Sequence, residues 1–148
     1  DDTLVTELLQ LLATTGADYC KAFRLLSTLP SAVSGLTPSF YLPCPDELAG
    51  RWQVWLGHWR SSLEAQDNLS ETSVAMQQVN PAITWREWLV APAYQRAELG
   101  DMSLIHELQQ LFSNPYDDPS DAVLSTYGQL RPRELFDAGG ISHYSCSS

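Results

Sequence analysis

The stretch Asp46-Glu47-Leu48-Ala49-Gly50-Arg51-Trp52-Gln53-Val54-Trp55-Leu56-Gly57-His58-Trp59 decides the fold class. Its tryptophans recur at i, i+3 and i+7, which places all three rings on one side of an α-helix. Two acids open the segment, where the positive end of the helix dipole favours negative charge. At helical spacing the ring stripe is a core face first. A platform for stacking a ligand is the other use such rings allow.

The same period recurs on both sides of this helix. Upstream, Leu4, Leu8, Leu11 and Leu12 follow Asp2 and Thr3, which can cap the start, and Gly16 ends the helix. Asp18 can cap a second helix with an apolar face of Ala22, Phe23, Leu25, Leu26 and Leu29, stopped by Pro30. Ser31 to Pro45 is a loop by composition, pinned to the core by Phe40, Tyr41 and Leu42. Downstream, a shorter helix is predicted from Ser70 to Val79 and is broken by Asn80-Pro81. Thr84 and Glu87 form a capping-box pattern for a helix carrying Trp85, Trp88 and Leu89. Pro92 lies inside that helix and is expected to kink it.

Gly100-Asp101 joins this helix to one presenting Leu104, Ile105, Leu108, Leu111 and Phe112, a link short enough to make the two antiparallel neighbours. Beyond Asn114, prolines and the Gly139-Gly140 pair cut the chain into short pieces. Ser120–Tyr127 and Pro132–Phe136 can each form a turn or two of helix. The expected fold is all-α, an irregular bundle of about six helices. Residues 1–113 form the helical body, and 114–148 a loop-rich tail ending in Ser-Cys-Ser-Ser.

The chain has 148 residues, 44% of them apolar, enough for one hydrophobic core. No apolar run approaches the roughly 20 residues that span a bilayer. The formal charge of −10 argues against nucleic acid and anionic membrane surfaces, which attract clustered Lys and Arg. Such acidity favours solubility and suits a basic surface on a partner. The chain opens on Asp1-Asp2, consistent with a piece excised from something longer. Cys20, Cys44 and Cys146 are odd in number and far apart, which points to a reducing compartment. In that compartment the sequon Asn68-Leu69-Ser70 is coincidental.

Candidate chemistry is sparse. His58, His106 and His143 lack the spacing of metal ligands, and structural or exposed roles suit them better. Asp117, Asp118 and Asp121 cluster around Pro119, without the Gly and terminal Glu of a calcium loop. Glu64, Glu71, Glu87 and Glu98 sit on predicted helices with no paired carboxylate nearby in sequence. There is no Gly-rich phosphate loop, nucleophile elbow or paired-Cys metal motif. Cys146, third from the end in His143-Tyr144-Ser145-Cys146-Ser147-Ser148, is a thiol able to reach partners. An ordinary free cysteine is the plainer reading, since reactivity requires a lowered thiol pKa.

Several of these segments together resemble a known family. Gly16-Ala17-Asp18-Tyr19 and Phe23-Arg24-Leu25-Leu26-Ser27 resemble the start of the C-terminal helical region of SelO (YdiU) proteins. Val79-Asn80-Pro81-Ala82-Ile83, followed by Arg86 and Leu89, is similar to that family's Asn-Pro motif. Ala97-Glu98, Gly100-Asp101-Met102, Leu104, Leu108 and Asn114-Pro115-Tyr116 continue in register, and Ser145-Cys146-Ser147-Ser148 matches the family's C-terminus.

The resemblance covers nearly the whole chain and is weakest between Ser31 and Ala75. It implies a parent with a kinase-like fold that moves AMP from ATP to Ser, Thr or Tyr hydroxyls of proteins. ATP and Mg (or Mn) would bind in the preceding catalytic domain, against which this region packs. The family's nucleotide and metal residues do not map here, so the chain alone is expected to be inactive. Cys146 matches a position held by selenocysteine or cysteine, and the family pattern implies a redox-controlling disulfide to a cysteine near the active site. Cysteine at this position suits a bacterial cytoplasmic protein. Pro92 and the stretch from Asp117 to Gly140 depart from the pattern. A stand-alone helical interaction module and a small thiol enzyme built on Cys146 are the rival readings; the second lacks a visible base or oxyanion site.

Overall fold

The computed structural model describes residues 2–137; His143 and Cys146 lie outside the described residues. Seven α-helices occur among them: α1 (Asp2–Thr15), α2 (Tyr19–Leu26), α3 (Asp46–Glu64), α4 (Leu69–Val79), α5 (Glu87–Glu98), α6 (Ser103–Ser113) and α7 (Asp121–Tyr127). Short 3-10 turns cover Val33–Gly35, Thr37–Ser39 and Arg133–Leu135. The chain is all-α as expected, and the described residues contain one isolated bridge, Ala17 to Phe40. By packing, the chain divides into Asp1–Pro81 and Ala82–Ser148. That partition differs in kind from the compositional boundary drawn at residue 113.

In the first unit, Leu8, Leu11 and Leu12 of α1 meet Ala22 and Leu26 of α2 and Trp52, Trp55 and Leu56 of α3. The tryptophan stripe is therefore a core face. Trp52 is wholly buried and stacks on Phe40 at 5.8 Å. Trp55 meets its edge at 6.0 Å, and half-buried Trp59 stacks on Trp55 at 5.4 Å. Both buried indoles satisfy their N–H groups: Trp52 donates to Thr15 Oγ1 at 2.8 Å and Trp55 to the Leu4 carbonyl at 2.9 Å. A buried indole without an acceptor would forfeit much of what its ring burial contributes.

Gly16 closes α1 as foreseen. At φ +66° it lets Ala17 N–H reach the Leu12 carbonyl (3.0 Å) and its own N–H reach that of Ala13 (3.2 Å). These are the two bonds of a Schellman closure. Asp18 then caps α2, accepting from Lys21 N–H at 2.9 Å. Three expectations need adjusting here. Asp2 lies inside the first turn of α1 rather than before it. Helix α2 stops at Leu26, ahead of Pro30, because Leu29 at φ +53° has already turned the chain. The 31–45 loop is anchored by Phe40 and by wholly buried Leu36, while Leu42 is exposed.

In the second unit, α5 and α6 pack through Leu89, Val90, Ala93 and Leu108, with Trp88, Leu104 and Phe112 around them. The capping box expected at Thr84 is not formed. Arg86 is extended, its carbonyl accepts from Leu89 and Val90 N–H, and α5 starts at Glu87. Exposed Trp85 consequently precedes the helix. Pro92 sits at the sixth helical position, and α5 runs on past it to Glu98. At Gly100 (φ +90°) the closure of Gly16 is repeated: Asp101 N–H reaches the Arg96 carbonyl and Gly100 N–H that of Ala97, each at 2.9 Å. Asp101 caps α6 from one residue outside, its Oδ1 accepting Ser103 N–H at 3.0 Å. The Ser103 bonds hold the Asp101 carboxyl below its usual range.

Candidate functional site

Two features stand out: a knot of side-chain-to-carbonyl bonds around Asn80-Pro81, and open grooves along the helices. The knot begins with Arg24 on α2. Its Nη1 donates to the carbonyls of Gln77 (3.2 Å) and Asn80 (2.9 Å) at the end of α4, where a cation complements both free carbonyls and the helix dipole. Asn80 folds back, its Nδ2 donating to the Met76 carbonyl at 2.8 Å. From α4, Ser73 Oγ donates to the Ser27 carbonyl at 2.6 Å. From α3, Arg60 Nη1 donates to the Leu29 carbonyl. The carbonyls freed where α2 and α4 end are thus held by side chains of neighbouring helices. In the second unit, Ala82 N–H donates to the Pro115 carbonyl at 2.7 Å. The residue following Asn80-Pro81 is thereby tied to Asn114-Pro115, two motifs singled out in the sequence.

A groove of about 560 Å³ runs between α1 and α3. Leu11 and Trp55 form its floor, and Glu7, Gln10, Glu47, Gly50, Arg51 and Val54 its walls. A second groove of about 420 Å³ shares Glu47 and Arg51 and extends past Thr14 to Leu42, Pro43 and Pro45. In the second unit, a groove of about 230 Å³ is lined by Trp85, Val90, Tyr94, Ile105 and Phe112. All three are open surface depressions.

The residues weighed for chemistry do not gather in any of them. His58 and His106 are exposed on α3 and α6. Asp117, Asp118 and Asp121 are all exposed. Glu64 lies 3.8 Å from Arg60 Nη2, one turn away on the same helix. Glu71 and Glu98 are exposed on α4 and α5, and Glu87 opens α5. Among the described residues, no three His, Cys, Asp or Glu side chains converge where a metal ion could be held. Cys20 is an exposed free thiol, and Cys44 a free thiol pushed up in pKa by burial and then by the Asp46 carboxylate. Tyr127 donates to Glu107 Oε1 at 2.5 Å; burial, then that bond, pushes its phenol up to about 12.

Sequence reasoning passed over Arg24 and the α1–α3 groove. The groove had a signal: Glu7 and Gln10 flank the leucine stripe of α1, so the edge of that stripe had to meet a second helix. Arg24 had none, because its partners are backbone carbonyls more than fifty positions away.

No described helix is long and apolar enough to cross a membrane. The class defined by fold and surface is an all-α module with open grooves along its described helices. No protein-family model matches the chain. It is 38% identical over 152 aligned residues to the protein nucleotidyltransferase YdiU of Salmonella newport, and equally to that of Salmonella dublin. Each match covers 100% of this chain and 28% of the relative. The chain belongs to the SelO/YdiU family and fits a C-terminal portion of it.

Proposed function

We propose that this chain is the C-terminal helical portion of a SelO/YdiU-type protein nucleotidyltransferase, acting as scaffold and as bearer of a redox-responsive thiol. The observation that carries this reading is the 38% identity extending over 100% of the chain. The parent would transfer AMP from ATP to Ser, Thr or Tyr hydroxyls of other proteins, in the bacterial cytoplasm. ATP and Mg (or Mn) would be held by the preceding kinase-like domain. Among the described residues, no three His, Cys, Asp or Glu side chains converge to hold that metal.

Cys146 is the residue assigned to redox control, through a disulfide with a cysteine of the catalytic domain. Thiolate attack through a mixed disulfide would make the link responsive to the glutathione poise. The chain alone would neither bind ATP saturably nor transfer AMP. The rival, a stand-alone interaction module, draws on the open grooves.

Both readings meet in one assay: transfer of labelled AMP to protein by the full-length parent, reduced and oxidised, with Cys146 intact and as Cys146→Ser. Transfer that falls on oxidation only when Cys146 is present supports the proposal. Transfer insensitive to both leaves the scaffold role and removes the redox one. A parent that transfers no AMP under either condition sinks the enzymatic reading.

A further inference from the structure

We draw no further inference here: the strongest candidate, the groove along α5 and α6 flanked by the exposed rings of Trp85 and Tyr94, is an unpartnered apolar depression, and nothing in the structure shows what covers it.

Discussion

Thr15→Val should destabilise the first unit by about 1–3 kcal/mol, because it strands a buried donor without creating a cavity. Trp52 is wholly buried, and its indole N–H is satisfied by Thr15 Oγ1 at 2.8 Å. Valine keeps the volume of threonine but replaces that acceptor with a methyl group. The loss is therefore the desolvation penalty of one N–H, to which packing adds little. Trp52→Phe removes the donor and some ring volume, and should cost about 1–3 kcal/mol by itself. In the Trp52→Phe background there is no N–H left to strand, so Thr15→Val should then cost less than about 0.5 kcal/mol. The coupling across the cycle should be about 1–2 kcal/mol. Urea unfolding of the four proteins, followed by far-ultraviolet circular dichroism, gives each value. A Thr15→Val cost that is equal in the two backgrounds would refute the claim that this bond anchors α3 to α1.

The glycines should sort by backbone geometry. Gly50→Ala and Gly57→Ala should each raise the unfolding free energy of this chain by about 0.5–1 kcal/mol, whereas Gly16→Ala, at φ +66°, should lower it by about 1–2 kcal/mol; the same urea titration separates them. Arg24→Met should cost about 1–2 kcal/mol, since half-buried carbonyls of Gln77 and Asn80 lose a charged donor, and hydrogen exchange at the end of α4 should accelerate with it. The Tyr127 phenol, raised to about 12 in the fold, should ionise about two units above an ordinary tyrosine in an ultraviolet titration. Its stabilising contribution is complete below the unfolded value near 10 and is lost as pH rises through about 12. Glu107→Gln should bring that ionisation down part of the way, leaving the part due to burial.

Much of this fold was legible because helices announce themselves by period and by their ends. The tryptophan stripe, the leucines of α1, the Asp18 cap and both glycine closures follow from local chemistry alone. What was not legible depends on distant backbone. Thr84 carries a correct capping pattern, yet the extended conformation of Arg86 moves the start of α5 to Glu87, and no local signal outranks that. Leu36 looked like any loop residue and is wholly buried, because two 3-10 turns fold it inward against α2 and α3. The site was less legible than the fold. Grooves are made by side chains that do not point at one another, so apart from the polar flanks Glu7 and Gln10 of the α1 leucine stripe their residues leave no spacing to find. The family resemblance came from short motifs whose order, rather than any one member, was informative.

The way the 31–45 loop is fastened bears on how the protein meets a protease. By composition the segment invites cleavage, with its prolines, serines and exposed Leu42. Yet Asp18 N–H bonds to the Ser39 carbonyl at 2.8 Å and Tyr41 N–H to that of Gly16 at 3.4 Å, while Leu36 and Phe40 are sunk in the core. A protease needs a stretch of extended, detachable chain, and releasing one here would pull on the Gly16 turn that closes α1 as well. The loop should therefore outlast segments with fewer ties, such as the turn between α3 and α4 where Asp67 sits at φ +50°. Limited digestion would cut first where the backbone is lightly held, and the segment that looks softest in composition would survive as part of a resistant fragment.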